Sequence, residues 1–158
     1  CKNKNLTFSP EFLRAEHWGT DIMNNKDWYL GGKDTHFWAD LFVNALGRIN
    51  VKVAQPEELI IAKQLRNSFL AMKVTYFNQA YDFCKAQGVD FEEVRKVITD
   101  DTRIGDSHSV VTADRGYVGH CFTKDTLATI RSAQVSGANM TLLEESDIYN
   151  RKVRNDKI

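Results

Sequence analysis

The decapeptide GYVGHCFTKD, residues 116–125, places Cys121 after Gly116 and Gly119 and ahead of Lys124, at the edge of a helix-forming run. Cysteine is usually a small buried hydrophobe. Here the glycines leave the backbone open to a ligand on one side, and a cation and a helix N-terminus stand on the other. A thiol attacks as its thiolate, and an ordinary free thiol is only a few per cent ionised at neutral pH. A helix N-terminus favours the anion by about 0.3–1 kcal/mol, and a nearby ammonium adds to that. These are the surroundings of a covalent nucleophile. Other readings compete. A buried structural thiol is the reading for Cys84, inside an apolar helix, and the bland alternative for Cys121. A zinc site from Cys121, His108, His120 and Asp125 lacks CxxC or HxxxH spacing, and adjacent ligands seldom close one tetrahedron, so no metal is expected. A base at His120 is set aside similarly, because sequence neighbours seldom face each other.

Two further stretches carry reactive groups. AKQLRN places Lys63 and Asn67 four residues apart, on one helical face. An ammonium beside an amide suits an oxyanion; solvated surface is the alternative. In SPEFLR, Pro10 fixes a turn and Glu11 falls at the first positions of a helix. There a carboxylate can simply stabilise the dipole.

The elements that must position these groups are legible from periodicity. NLTFS (5–9), DWYLGG (27–32) and NVKVA (50–54) read as strands, and PEFLRAEHW (10–18) as a helical turn begun by Pro10. DTHFWADLFVNALG (34–47) places Phe37, Trp38, Leu41, Phe42, Ala45 and Leu46 on one helical face. Three short strands make a poor sheet alone, so this part reads as the tail of a larger sheet domain. From Pro56 to Gln87 no Pro or Gly intervenes, and Gly88 supplies a stop. That is one helix of about 46 Å. It is apolar almost all round, hence a central spine packed on several sides and a subunit interface. DFEEVRKVIT begins at Asp90 with Glu93 in capping-box relation, and MTLLEESDIYNRKVRNDK does so with Thr141 and Glu144. KDTLATIRSAQVSG ends at Gly137, and residues 101–122 show no clear helix. The fold class is thus mixed and mainly α: a short α/β segment of about three strands, then a helical domain on one long helix.

Charge excludes several functions. Lys+Arg and Asp+Glu both number 21, which gives no electrostatic case for nucleic acid or an anionic membrane. No apolar run is long enough to span a bilayer. Three widely spaced cysteines, Cys1, Cys84 and Cys121, do not read as a secreted disulfide framework, so a reducing cytoplasm is expected. The chain begins at Cys1 without an initiator Met and reads as a segment of a longer protein.

FSPEFLR, AKQLRNSFLAMKVTYFNQ, RIG and GYVGHCFTKDTLATI occur in this order. Together they resemble the nucleotide-sugar 6-dehydrogenases, the UDP-glucose and GDP-mannose dehydrogenase family, from about residue 6 to about residue 155. Members have an NAD-binding Rossmann domain, a central helical dimerisation domain and a nucleotide-sugar domain. The resemblance implies that residues 1–54 are the end of the first domain and 55–158 the central one. It implies a homodimer through the helical domain, a nucleotide-sugar substrate and NAD. The implied reaction oxidises the sugar C6 alcohol to a carboxylate, UDP-glucose to UDP-glucuronate. No G-x-G-x-x-G occurs here, so NAD falls mainly to a domain outside the chain, and this segment alone is expected to be inactive.

Carried over residue by residue, the resemblance makes Cys121 the nucleophile of a thiohemiacetal and thioester, with Lys63 and Asn67 steadying the oxyanion. Asp125 handles the hydrolytic water, and Glu11 does acid/base work. Phe12, Leu13 and Arg14 line the sugar, as do Tyr117, Gly119 and Arg103, the last reaching across the dimer. Lys124 is assigned to the cofactor. The family usually reads GYGGxCFPKD; Val118 and Thr123 depart from it, the loop from Arg103 to Cys121 is about two residues longer, and a second glutamate is Ala15, with Glu16 one place on. Two other functions stand beside the dehydrogenase: a non-catalytic dimerisation scaffold, and a thiol hydrolase built on Cys121.

Overall fold

The computed structural model describes residues 6–14 and 17–154. Expectations that rest on Cys1, Asn5, Ala15, Glu16 and residues 155–158 lie outside the described residues. The elements run β1 (Thr7–Phe8), α1 (Trp18–Asn24), β2 (Asp27–Gly32), α2 (Thr35–Leu46), β3 (Asn50–Val53), α3 (Pro56–Gln87), α4 (Phe91–Thr99), α5 (His120–Val135) and α6 (Thr141–Arg154). A three-stranded segment followed by helices built on one long helix is the fold class that the sequence implies. The chain falls into two compact units, Cys1–Lys63 and Gln64–Ile158. The domain division at 54/55 is what the family resemblance implies; the compact units meet two turns into α3. The first turns of α3 still pack on the sheet: Leu59 is buried, and its Cδ1 lies over Gly31.

In the first unit β2 is the middle strand, antiparallel to β1 and parallel to β3. The parallel pair requires a crossover, which α2 provides. Leu30 of β2 is fully buried. The apolar stripe of α2 is only partly covered. Phe42 meets Trp28 edge-on at 5.3 Å, while Phe37, Trp38 and Leu41 remain exposed, because three short strands offer too little surface for the whole stripe. The helical turn expected from Pro10 does not form: residues 9–14 have no regular structure, and the helix begins at Trp18. Side chains compete for the backbone there. The Leu13 N–H donates to Glu11 Oε1 (3.0 Å) and the Arg14 N–H to Asp21 Oδ2 (2.8 Å).

In the second unit α3 continues to Gln87, and Gly88, at φ +67°, takes the left-handed turn that stops it. More than half of the girth of α3 is buried, through Ser68, Ala71, Thr75 and Asn78 on one side and Phe77 and Cys84 on another. α3 is packed on several sides, as expected, and Leu65, Phe69, Tyr76 and Phe83 form an exposed stripe along the rest. Phe77, Cys84 and Phe91 form the core, with Tyr81, Val94, Ile98 and Val111 packed around them. Asp90 caps α4 by accepting from the Glu92 N–H at 2.8 Å. Glu93 does not reciprocate; it pairs with Lys96. Glu144 likewise leaves the expected box with Thr141 and accepts from Gln134 of α5 at 3.2 Å. Residues 100–119 contain no helix, as expected, and the segment is held by buried polar side chains.

Candidate active site

α5 starts at His120, four residues before the expected Lys124, with Gly119 as its N-cap at φ 103° and ψ 161°. Cys121 is therefore the second residue of a helix rather than the end of a loop. Its thiol is exposed, whereas Cys84 is buried. The earlier start puts Cys121, Lys124 and Asp125 at positions i, i+3 and i+4, on one helical face. Lys124, expected near the thiol as a cation, thus joins that face through the helix register.

Asp125 is 4% exposed and joins two elements. Its Oδ2 accepts from Asn67 Nδ2 of α3 at 2.6 Å, and its Oδ1 from Lys124 Nζ at 2.7 Å. The Thr129 hydroxyl donates to the Asp125 carbonyl at 2.7 Å, which anchors the same turn. A buried carboxylate is tolerated because donors reach both of its oxygens. Lys124 keeps a side chain 60% exposed.

In the first unit Lys63 donates to Glu11 Oε2 at 3.0 Å, and the other oxygen of Glu11 takes the Leu13 N–H. Glu11 thus stands on irregular chain as the counter-ion of Lys63, not at a helix N-terminus. Phe12 packs edge-on against Tyr29 at 6.0 Å, and Leu13 is half-buried. Arg14 holds Asp21 in a two-pronged pair, with Nη2 2.5 Å from Oδ1 and Nε 3.0 Å from Oδ2. These hydrogen bonds bring the Asp21 carboxyl down to about 2.

The remaining candidates lie on the 100–119 segment. Arg103 projects with its side chain 87% exposed and pairs with Asp101. Lys73 of α3 donates to the Ile104 and Gly105 carbonyls at 2.7 and 2.9 Å, and burial lowers its pKa. Gly119 and Val118 are exposed. Tyr117 is 4% exposed, and its hydroxyl donates to Asp147 Oδ1 at 3.1 Å. Burial first, then the Asp147 charge, push that phenol upward. The Tyr117 ring stands edge-on to Phe122 at 6.3 Å, and His108 packs on the same Phe122 at 5.4 Å. Among the described residues no three His, Cys, Asp or Glu side chains gather to hold a metal ion, and no helix is long and apolar enough to cross a membrane.

Sequence reasoning passed over the residues that fix this segment. Asn78 Oδ1 accepts from the Gly116 N–H at 3.0 Å and from Arg115 Nε at 2.8 Å. Arg115 lies over the Tyr81 ring at 4.8 Å and donates to Asp82 at 2.9 Å. Burial and Asp82 push the neighbouring Tyr149 phenol up to about 12. The available signal was a short amide in mid-helix, Asn78 beside Phe77, where a polar residue has to be satisfied once buried.

Comparison with known proteins identifies the family. Residues 58–152 match the UDP-glucose/GDP-mannose dehydrogenase family, central domain. The UDP-glucose 6-dehydrogenase of Rhizobium meliloti is 38% identical over 151 residues, covering 90% of this chain and 33% of that protein. A UDP-glucose 6-dehydrogenase of Haloferax volcanii is 32% identical over 145 residues, covering 88% and 33%. The structure of a UDP-glucose dehydrogenase from the hyperthermophilic archaeon Pyrobaculum islandicum aligns with a TM-score of 0.81 at 29% identity, over 92% of this chain and 34% of that one. The chain spans about a third of the length of these relatives. By the match of its helical part, the chain belongs to the UDP-glucose/GDP-mannose dehydrogenase family.

Proposed function

We propose that this chain carries the thiol chemistry of an NAD-dependent nucleotide-sugar 6-dehydrogenase, with UDP-glucose as substrate and UDP-glucuronate as product. One observation supports the reading most directly. The exposed Cys121 shares a helical face with Asp125, and Asp125 is hydrogen-bonded to Asn67 at 2.6 Å. A nucleophile, a carboxylate and an amide are thereby grouped on α3 and α5.

In this reading NAD, when bound, accepts the hydride in each of two oxidations at C6. The sequence has no dinucleotide fingerprint, so that cofactor is held mainly by residues outside the chain. The chain's own groups act on the carbon. The Cys121 sulfur bonds to the C6 aldehyde, and the oxygen becomes the hydroxyl of a thiohemiacetal. Asn67, with a second amide N–H left to donate, and Lys63, one turn earlier on α3, steady the oxygen while it is negative. After the second oxidation the sulfur holds a thioester. Asp125 positions the water whose oxygen bonds to C6, the C–S bond breaks, and the thiol is regenerated with the carboxylate. Glu11, held by Lys63, handles a proton in that hydrolysis. Phe12, Leu13, Arg14, Gly119 and Arg103 contact the nucleotide-sugar, and Lys124 faces the cofactor. Tyr117 serves by holding the segment beneath the substrate, since its side chain is spent on Asp147.

The protein is further proposed to work as a homodimer in the cytoplasm. The exposed Leu65, Phe69, Tyr76 and Phe83 of α3 supply an apolar face for a second copy, and a reducing compartment keeps Cys121 free. The test is turnover by the whole gene product with UDP-glucose and NAD. About two NADH are expected per sugar, the electron count from alcohol to carboxylate, and Cys121→Ser should abolish turnover. A Ser variant that forms carboxylate at the wild-type rate would sink the thioester route. A stable dimer that binds no nucleotide-sugar would favour the scaffold.

A further inference from the structure

Asp147, Asn150 and Arg154 are spaced three and four residues apart, which places them on one face of α6. Each takes hold of the segment just upstream of the thiol. Asn150 Oδ1 accepts from the Tyr117 N–H at 2.7 Å, and Asn150 Nδ2 donates to the Tyr117 carbonyl at 3.1 Å. Asp147 Oδ1 accepts from the Tyr117 hydroxyl at 3.1 Å. Arg154 Nη1 donates to the Arg115 carbonyl at 3.1 Å. Asn78 of α3 completes the clamp from the other side through Gly116 and Arg115. The fit is close: Gly116 adopts φ +59°, and a Cβ there would overlap the Asn150 amide oxygen.

Asp147, Asn150 and Asn78 are buried at 6%, 5% and 1% exposure. Apolar residues of similar size would pack such positions without a desolvation cost. What the polar groups add is direction. A segment with glycines at 116 and 119 has unusual backbone freedom, and fixing it has an entropic cost. The clamp fixes it at Tyr117, whose ring meets Phe122 edge-on at 6.3 Å, and Phe122 is the chain neighbour of Cys121.

We propose that the Asp147–Asn150–Arg154 face of α6 sets the position of the Cys121 thiol, acting through Tyr117 and Phe122. These are positioning residues; none touches the sulfur. The inference gives α6 a part in the nucleotide-sugar reading and rests on that reading for its purpose, but its test reads the thiol itself.

The test is the iodoacetamide alkylation rate of Cys121 in the whole gene product, resolved by peptide mass spectrometry, with buried Cys84 as the internal reporter of folding. Asp147→Ala should change the Cys121 rate about threefold or more, as expected for local loosening, while Cys84 stays protected. Asp147→Asn keeps an oxygen for the Tyr117 hydroxyl but gives up the 2.6 Å pair with Arg151; it should restore the wild-type rate. A wild-type rate in Asp147→Ala overturns the proposal, and so does an Asp147→Asn rate equal to that of Asp147→Ala, which would assign the effect to the ion pair. Should Asp147→Ala expose Cys84, Gly116→Ala disturbs the same contact from the segment side and leaves α6 unaltered; a threefold change supports the clamp and a wild-type rate overturns it. Failure of the nucleotide-sugar reading looks different: no UDP-glucose binding, with these alkylation rates as expected.

Discussion

Replacing Asp125 by Ala removes a carboxylate that ties α5 to α3, and the contacts to Lys124 and Asn67 each contribute to its cost. The Lys124 contact, 2.7 Å long, involves a side chain 60% exposed; solvent screens it to about 0–1 kcal/mol. The Asn67 contact, 2.6 Å long, is made by a carboxylate 4% exposed. A hydrogen bond to a charged group in that setting contributes about 1.5–3 kcal/mol. The Thr129 bond goes to the Asp125 carbonyl and survives the substitution. The sum is about 2–3 kcal/mol, since the two contacts share one carboxylate. For a chain of this size each kcal/mol moves Tm by about 2–4 °C, which predicts a fall of about 4–12 °C for Asp125→Ala. Asp125→Asn keeps an oxygen for Asn67 but makes that bond a neutral one and loses the screened ion pair, about 1–2 kcal/mol together, so its Tm should fall by less, about 2–8 °C. Scanning calorimetry of the wild type and both variants decides. If Asp125→Ala melts with the wild type, or the Ala and Asn variants fall equally, the Asn67–Asp125 bond is not what joins these helices.

Other substitutions and titrations probe the remaining contacts. Asn78→Ala strips partners from the Gly116 N–H and Arg115 Nε; urea unfolding should show a loss of about 2–4 kcal/mol, the cost of orphaning buried donors. Asp21 titrates at about 2, below its unfolded value near 3.9. Its contribution to stability is therefore fully present above about pH 4 and lost as pH falls through about 2. Carboxyl NMR should place that midpoint, and Arg14→Gln should move it back towards the unfolded value. In the native chain Cys121 should alkylate within minutes while Cys84 waits for unfolding, because only the first is exposed; equal rates at both would contradict the burial of Cys84.

What was readable from the amino acids alone was set by local rules. The uninterrupted run from Pro56 to Gln87 and the glycine after it specified α3, and DWYLGG specified β2, because propensity and punctuation act within a few residues. The family resemblance carried by FSPEFLR, AKQLRN and GYVGHCFTKD, rather than a local rule, put forward Glu11 and Asp125 as candidates, beside Lys63, Asn67 and Cys121, which residue type and spacing also single out. Three-dimensional packing decided the rest. No local rule separates a helix beginning at His120 from one beginning at Lys124, yet that choice puts Cys121 and Asp125 on one face. Pro10 and Glu11 carry a helix-start pattern, but a carboxylate from Asp21 claims the Arg14 N–H and the chain stays irregular. Asp147, Asn150 and Arg154 carry no local signal of their role; the fold buries the first two against Tyr117. Hydrogen bonds between residues thirty or more apart depend on which surfaces meet, and that is fixed by side-chain burial across the whole unit rather than by any stretch of sequence.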